Sequence, residues 1–273
     1  MNELSDQRSA VASLGARLLG GVSYIGGMSL LLGRTARGVW ATVLRRPGGP
    51  RWEAVAVQMD RVGVRSIGIV ALVQVFIGVI LALQMAPPLE PWGQVDKVAN
   101  IIGVAGFRML GPIITAVVLS GFAGASIAAE LGTMVVAEEI KALEAHALNP
   151  VRFLVVPRVL ATFIMLILLT IVADWMIAAG GFITARLIFG PEVYIGYWSR
   201  MRGQLRMGDF VSGLVMAGVF GILISLIACF EGLRVRGGAE GVGRATTMTV
   251  VYSIVGIIAA ACVFTVVFYV FEI

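Results

Sequence analysis

Apolar residues in this chain fall in long unbroken runs rather than in the alternating pattern of a strand or the stripe of a surface helix. Charge-free windows cover Ser66–Ala86, Met109–Ala129, Phe210–Phe230 and Ala245–Phe271, and a fifth, Val159–Ala185, holds one charge, Asp174. A helix needs roughly 20 apolar residues to cross a bilayer, where no water satisfies its backbone. The pattern therefore predicts an all-α integral membrane protein with five transmembrane helices. Leu18–Gly33 is also uncharged but short, and it lies between Arg17 and Arg34. Its glycine pairs and the nearby Arg37, Arg45 and Arg46 predict a helix lying in the membrane interface, with a sixth span as the alternative. Residues 1–60 then form an N-terminal cytoplasmic and interfacial region, and residues 61–273 a single membrane domain.

Between the second and third windows the pattern changes. From Ala137 to Leu148, Ile140, Leu143 and Ala147 recur at i, i+3 and i+7, while Glu138, Glu139, Lys141 and Glu144 occupy the other faces. Asn149 precedes Pro150 and is pushed out of the helical region, which predicts the end of a short amphipathic helix there. Such a helix fills a groove on a soluble partner, or it lies on the bilayer or on its own bundle.

Composition supports the membrane reading. Hydrophobic residues make up 59% of the 273 and charged residues 14%, well below the ~25% of soluble domains; the mean hydropathy is +0.94. The 34 glycines suit close helix packing in lipid. Counting Lys and Arg with the N-terminus inside puts 15 on the cytoplasmic side and six outside, a bias that comes entirely from the nine before span one. The polar N-terminus, with no small-residue cleavage site after the first apolar stretch, predicts no signal or transit peptide. The net charge of +5 reads as loop arginine facing anionic headgroups, with no patch for nucleic acid. Cys229 and Cys262 fall inside apolar runs and read as buried thiols. The chain has no phosphate-binding G-x-x-x-x-G-K-[S/T] and no nucleophile–base or paired-carboxylate arrangement. Its single histidine, His146, excludes a multi-histidine metal site. Any hydrolytic work belongs to another subunit, and no cofactor or metal is expected.

Two blocks carry a resemblance. Gly121-Phe-Ala-Gly-Ala-Ser-Ile-Ala-Ala-Glu130-Leu-Gly-Thr-Met134, followed by Glu138-Glu-Ile-Lys-Ala-Leu143 and Asn149-Pro150, is one; Gly237-Gly-Ala-Glu240-Gly-Val-Gly-Arg244-Ala-Thr-Thr247 is the other. Leu110-Gly-Pro112 and the run from Leu168 to Asp174 ending in Gly180-Gly181 agree with them. Over about residues 55–271 the chain resembles the MlaE/YrbE family, permease subunits of bacterial ABC lipid transporters that work with mammalian-cell-entry (MCE) domain proteins. The resemblance implies a permease homodimer on a cytoplasmic ABC ATPase dimer, with an MCE-domain periplasmic protein ring outside, in the bacterial inner membrane. It implies that residues 137–148 form the coupling helix that docks in the ATPase, with Glu138, Glu139, Ile140, Leu143 and Glu144 as contacts.

It also implies a lipid cavity among spans one, two and five. Val75, Phe76, Val79, Ile80, Leu83, Gln84 and Met85 are its candidate lining, although Phe and Met in a span more often simply pack. Arg108, at the expected outer end of span two, attracts a lipid phosphate or snorkels to the headgroups. Family members commonly carry glutamate where this chain has Met109, and arginine where it has Phe122, so the cavity here is expected to be more apolar. Asp174, inside span three, is read as structural, accepting hydrogen bonds, or as a proton relay. Glu130, Glu240 and Arg244 are candidate structural or gating charges, with Glu130–Arg244 and Glu240–Arg158 the expected pairs. The function implied is transfer of phospholipid or a similar lipid. An ion-coupled secondary transporter using Asp174 and a non-transporting membrane scaffold are the alternatives.

Overall fold

The computed structural model describes residues 23–40 and 52–271. Among them, five helical stretches are long and apolar enough to cross a membrane: Trp52–Trp92, Val95–Val136, Val151–Phe189, Met207–Leu233 and Gly238–Val270. They are spans one to five below, and among the described residues no strand occurs.

Most of these helices outrun the apolar windows that predict them. Span one opens with an amphipathic lead-in, Trp52–Val62, which buries Val55 and Val62 and keeps Glu53, Asp60 and Arg61 exposed. Span two starts at Val95, so Arg108 and Met109 stand within it rather than at its outer end. Four short stretches of the described residues have the wider π-helical turn: Gly106–Leu110, Ser120–Gly124, Val151–Val155 and Ala185–Phe189.

Small residues let the spans approach closely. Val70, Gln74, Gly78, Ala82 and Ala86 recur every four residues as the buried face of span one. Gly78 sits against the Ile177 carbonyl and Gly180 against the Val75 carbonyl, so spans one and three touch backbone to backbone. Spans three and four pack together, and span five lies on spans two and four. One apolar core gathers Leu131, Leu154, Leu166, Phe220 and Ile224; a second holds Ile102, Phe107, Ile177 and Tyr197. Tyr197 donates its hydroxyl to the Ala178 carbonyl at 3.2 Å and so fastens the Tyr197–Gln204 helix to span three.

The helix over residues 23–40 is not one of the spans. A Cβ on Gly27 would lie 2.8 Å from Phe230, near the end of span four, and one on Gly38 would lie 2.7 Å from Val156, near the start of span three. Its two contacts therefore fall at the same end of the bundle, and the helix crosses that end. Residues 18–22 of the expected interfacial segment lie outside the described residues. Cys229 is buried as expected, but Cys262 is exposed, because span five turns that face away from the bundle.

Candidate functional site

The short helix between spans two and three is present but shorter than its pattern predicts, Glu139–Ala145 rather than 137–148. Glu138 (φ 58°) and Ala147 (φ 58°) take left-handed conformations at its two ends. Leu148 N–H donates to the Leu143 carbonyl at 3.0 Å, which closes the helix before Asn149-Pro150 is reached. Asn149 instead starts the next element: its Oδ1 accepts from Val151 N–H at 3.0 Å. Ala147, expected on the apolar stripe, is thus outside the helix.

Ile140 and Leu143 are half-buried against the bundle's own core. They seat the helix, and the side left exposed carries Glu138, Glu139 and Glu144. Lys141 Nζ donates to Glu138 Oε1 at 2.7 Å. That hydrogen bond and the ammonium charge hold the Glu138 carboxyl below its usual range.

Both stems of the short helix meet at one carboxylate. Glu130, in the last two turns of span two, accepts from Arg61 Nη1 through Oε1 at 2.8 Å and from Arg158 Nη2 through Oε2 at 2.9 Å. Arg158 is buried, and its Nη1 also donates to the Leu154 carbonyl at 2.9 Å. The expected Glu130–Arg244 and Glu240–Arg158 pairs are corrected by this arrangement, since Arg158 turns into the bundle toward span two. Glu240 and Arg244 are exposed and form no ion pair among the described residues.

Nearer the other side of the bundle, within span two, Arg108 lies on the Gly106–Leu110 turn, with Nη1 3.4 Å from Asp209 Oδ1 and its guanidinium 5.3 Å from the centre of the Phe268 ring. Asp209 Oδ2 accepts from the Arg206 N–H at 3.1 Å, which caps span four. Arg108, Arg206, Asp209, Phe268 and Tyr269 line a cleft of about 560 Å³. Met109 is exposed, and its sulfur is 4.0 Å from Thr265 Oγ1 of span five. Phe122, on the second π-helical turn of span two, is also exposed.

The candidate lining residues of span one divide. Phe76, Ile80, Leu83 and Gln84 are exposed on the outward face, and Val75 and Val79 are half-buried. Met85 is half-buried and packs against the second core. Span one packs chiefly on span three and span five on spans two and four, so the described residues of a single chain do not enclose this face.

Asp174 is buried beside Gly111 of span two, and neither of its oxygens has a hydrogen-bond partner among the described residues. The expectation that it accepts hydrogen bonds from a neighbouring helix is corrected accordingly. Gln74, buried against the same Gly111, spends its Nε2 on the Gly111 carbonyl at 3.1 Å and on Thr115 Oγ1 at 2.9 Å. The sequence pattern singles out neither Gln74 nor Arg61 nor Asp209. Gln74 does carry a signal, since it is a lone amide deep in a charge-free window.

Comparison with known proteins gives a family match over residues 55–267, to the model described as Permease MlaE. A chloroplastic protein of Arabidopsis thaliana, TRIGALACTOSYLDIACYLGLYCEROL 1, is 34% identical over 213 residues, which are 78% of this chain and 61% of that one. A probable ABC transporter permease protein of Rickettsia felis is 36% identical over 214 residues, 78% of this chain and 82% of the relative. A probable ABC transporter permease protein of Synechocystis is 34% identical over 202 residues, 73% and 76% of the two chains.

Proposed function

Because the chain belongs to the MlaE permease family, we propose that it is the membrane-spanning permease subunit of an ABC transporter moving phospholipid or a similar lipid. Two copies pair in the bacterial inner membrane with their N-termini in the cytoplasm. A dimer of ABC ATPases binds beneath them, and an MCE-domain protein ring stands on the outer side. The relatives named as ABC transporter permeases support the class, and the Arabidopsis relative is named for a glycolipid.

The observation that carries this reading is the short helix Glu139–Ala145, seated by Ile140 and Leu143 and open on its acidic side. A seated helix with one free face transmits a push from a partner into the spans that flank it. Glu138, Glu139 and Glu144 meet the ATPase, while Ile140 and Leu143 pass the movement to the core. On the outer side the lipid enters a cavity that closes when two copies meet. Phe76, Ile80, Leu83 and Met109 supply its apolar wall, and Arg108 meets the headgroup. ATP-driven approach of the ATPases narrows the cavity and passes the lipid to or from the MCE channel.

The test is to purify the tagged chain from its native host in mild detergent and identify co-purifying proteins and lipids by mass spectrometry. The expected result is an ABC ATPase in about equal amount, an MCE-domain protein and bound lipid. A chain that emerges alone, under conditions where other ABC complexes survive, overturns the reading.

A further inference from the structure

Resting on that reading, we infer that Arg61 and Glu130 form a clasp that makes the lead-in helix Trp52–Val62 and the two stems of the short helix move as one body. Three elements converge on a single carboxylate. Glu130 precedes the short helix, Arg158 follows it, and Arg61 belongs to the opening of span one. Each carboxylate oxygen takes one guanidinium, at 2.8 and 2.9 Å.

The two arms differ. The Arg158 side chain is 6% exposed and also tied to the Leu154 carbonyl, so it is a fixed internal brace. The Arg61 side chain is 53% exposed, so its arm opens and closes without unfolding anything. Without the Arg61 arm, a push on the short helix moves spans two and three and leaves span one to follow by packing alone. With it, span one, which carries Phe76 and Ile80, is driven directly. Arg61 is thus a positioning residue for transport that touches neither lipid nor ATP.

The test uses the whole complex, reconstituted in vesicles of the native host's total lipid extract. It measures lipid molecules moved into or out of the vesicles per ATP hydrolysed. Arg61→Gln is expected to assemble normally and hydrolyse ATP normally, yet move about three-fold less lipid per ATP, the Boltzmann factor of a half-exposed ion pair. Arg61→Lys restores most of the ratio. Raising salt lowers the wild-type ratio toward that of Arg61→Gln and leaves the variant unmoved, because the exposed arm is screened. A ratio unchanged in Arg61→Gln overturns the clasp while leaving the transporter intact. A wild-type complex that moves no lipid with ATP overturns the transporter reading and the clasp with it. Reduced assembly with an unchanged ratio shows a purely structural pair and also overturns the proposal.

Discussion

Spans three and four and spans one and five are built from similar residues but are used differently. Within the best apolar window of each helix, 61% and 72% of residues are buried in spans three and four, against 28% and 17% in spans one and five. The inner pair is a scaffold whose neighbours are other spans. The outer pair exposes Leu72, Phe76 and Ile80 on one helix and Val255, Ile258 and Val263 on the other. Hydropathy does not separate them, since the four windows are almost equally apolar. What separates them is which neighbours they meet, since span five also carries small residues and leaves Ala259 exposed. In lipid, an apolar sequence says only that a helix crosses, while a close glycine seat such as Gly78 on the Ile177 carbonyl shows where two helices meet.

The largest effect is expected where an outer span meets an inner one. Gly78→Ala puts a methyl into the Ile177 carbonyl, a backbone atom that cannot swing aside, and should cost roughly 1–3 kcal/mol. Thermal unfolding of the detergent-solubilised protein reads it, with Gly243→Ala, which meets nothing within 4 Å, as the control. Equal behaviour of the two would break the comparison. Next comes Gly111→Ala, whose methyl meets the Asp174 carboxyl, a side chain. Adding Asp174→Ala should relieve part of the damage, with a coupling of about 1 kcal/mol in a double-mutant cycle.

A smaller effect is expected at the short helix. Glu139→Lys with Glu144→Lys should leave unfolding unchanged and weaken ATPase association about ten-fold in a pull-down titration, by reversing the charge of the free face. The smallest stability change belongs to the outward face: Phe76→Ala should shift unfolding by no more than about 0.5 kcal/mol, while lowering the lipid that co-purifies. A loss of several kcal/mol there would mean that the residue is packed, and the contrast between inner and outer spans would fail.

The five spans are legible in the sequence because a bilayer demands long apolar runs, and no competing force shortens them. Their ends are not, because Trp52–Val62 extends span one with an amphipathic stretch whose charges a charge-free window excludes. The short helix is legible from its period, but its direction is not. The same Ile140 and Leu143 stripe fits a partner's groove or the chain's own core, and only the fold decides. The charges Glu130 and Arg158 are visible as edge residues, yet their pairing depends on how each helix is rotated. The π-helical turns alter that rotation and leave no mark in the spacing.

The crossing helix over residues 23–40 works as a ruler. Its two glycine seats, Gly27 on Phe230 and Gly38 on Val156, are eleven residues apart, which is three turns and about 16 Å of rise. Eleven residues return almost to the starting angle, so both seats share one edge of the helix. One residue inserted between them would turn the second seat by about 100° and lift it from its span. The spacing between those glycines therefore has to match the distance between Phe230 and Val156 in both angle and length, which a single step breaks by rotation and a whole turn by about 5 Å of extra rise.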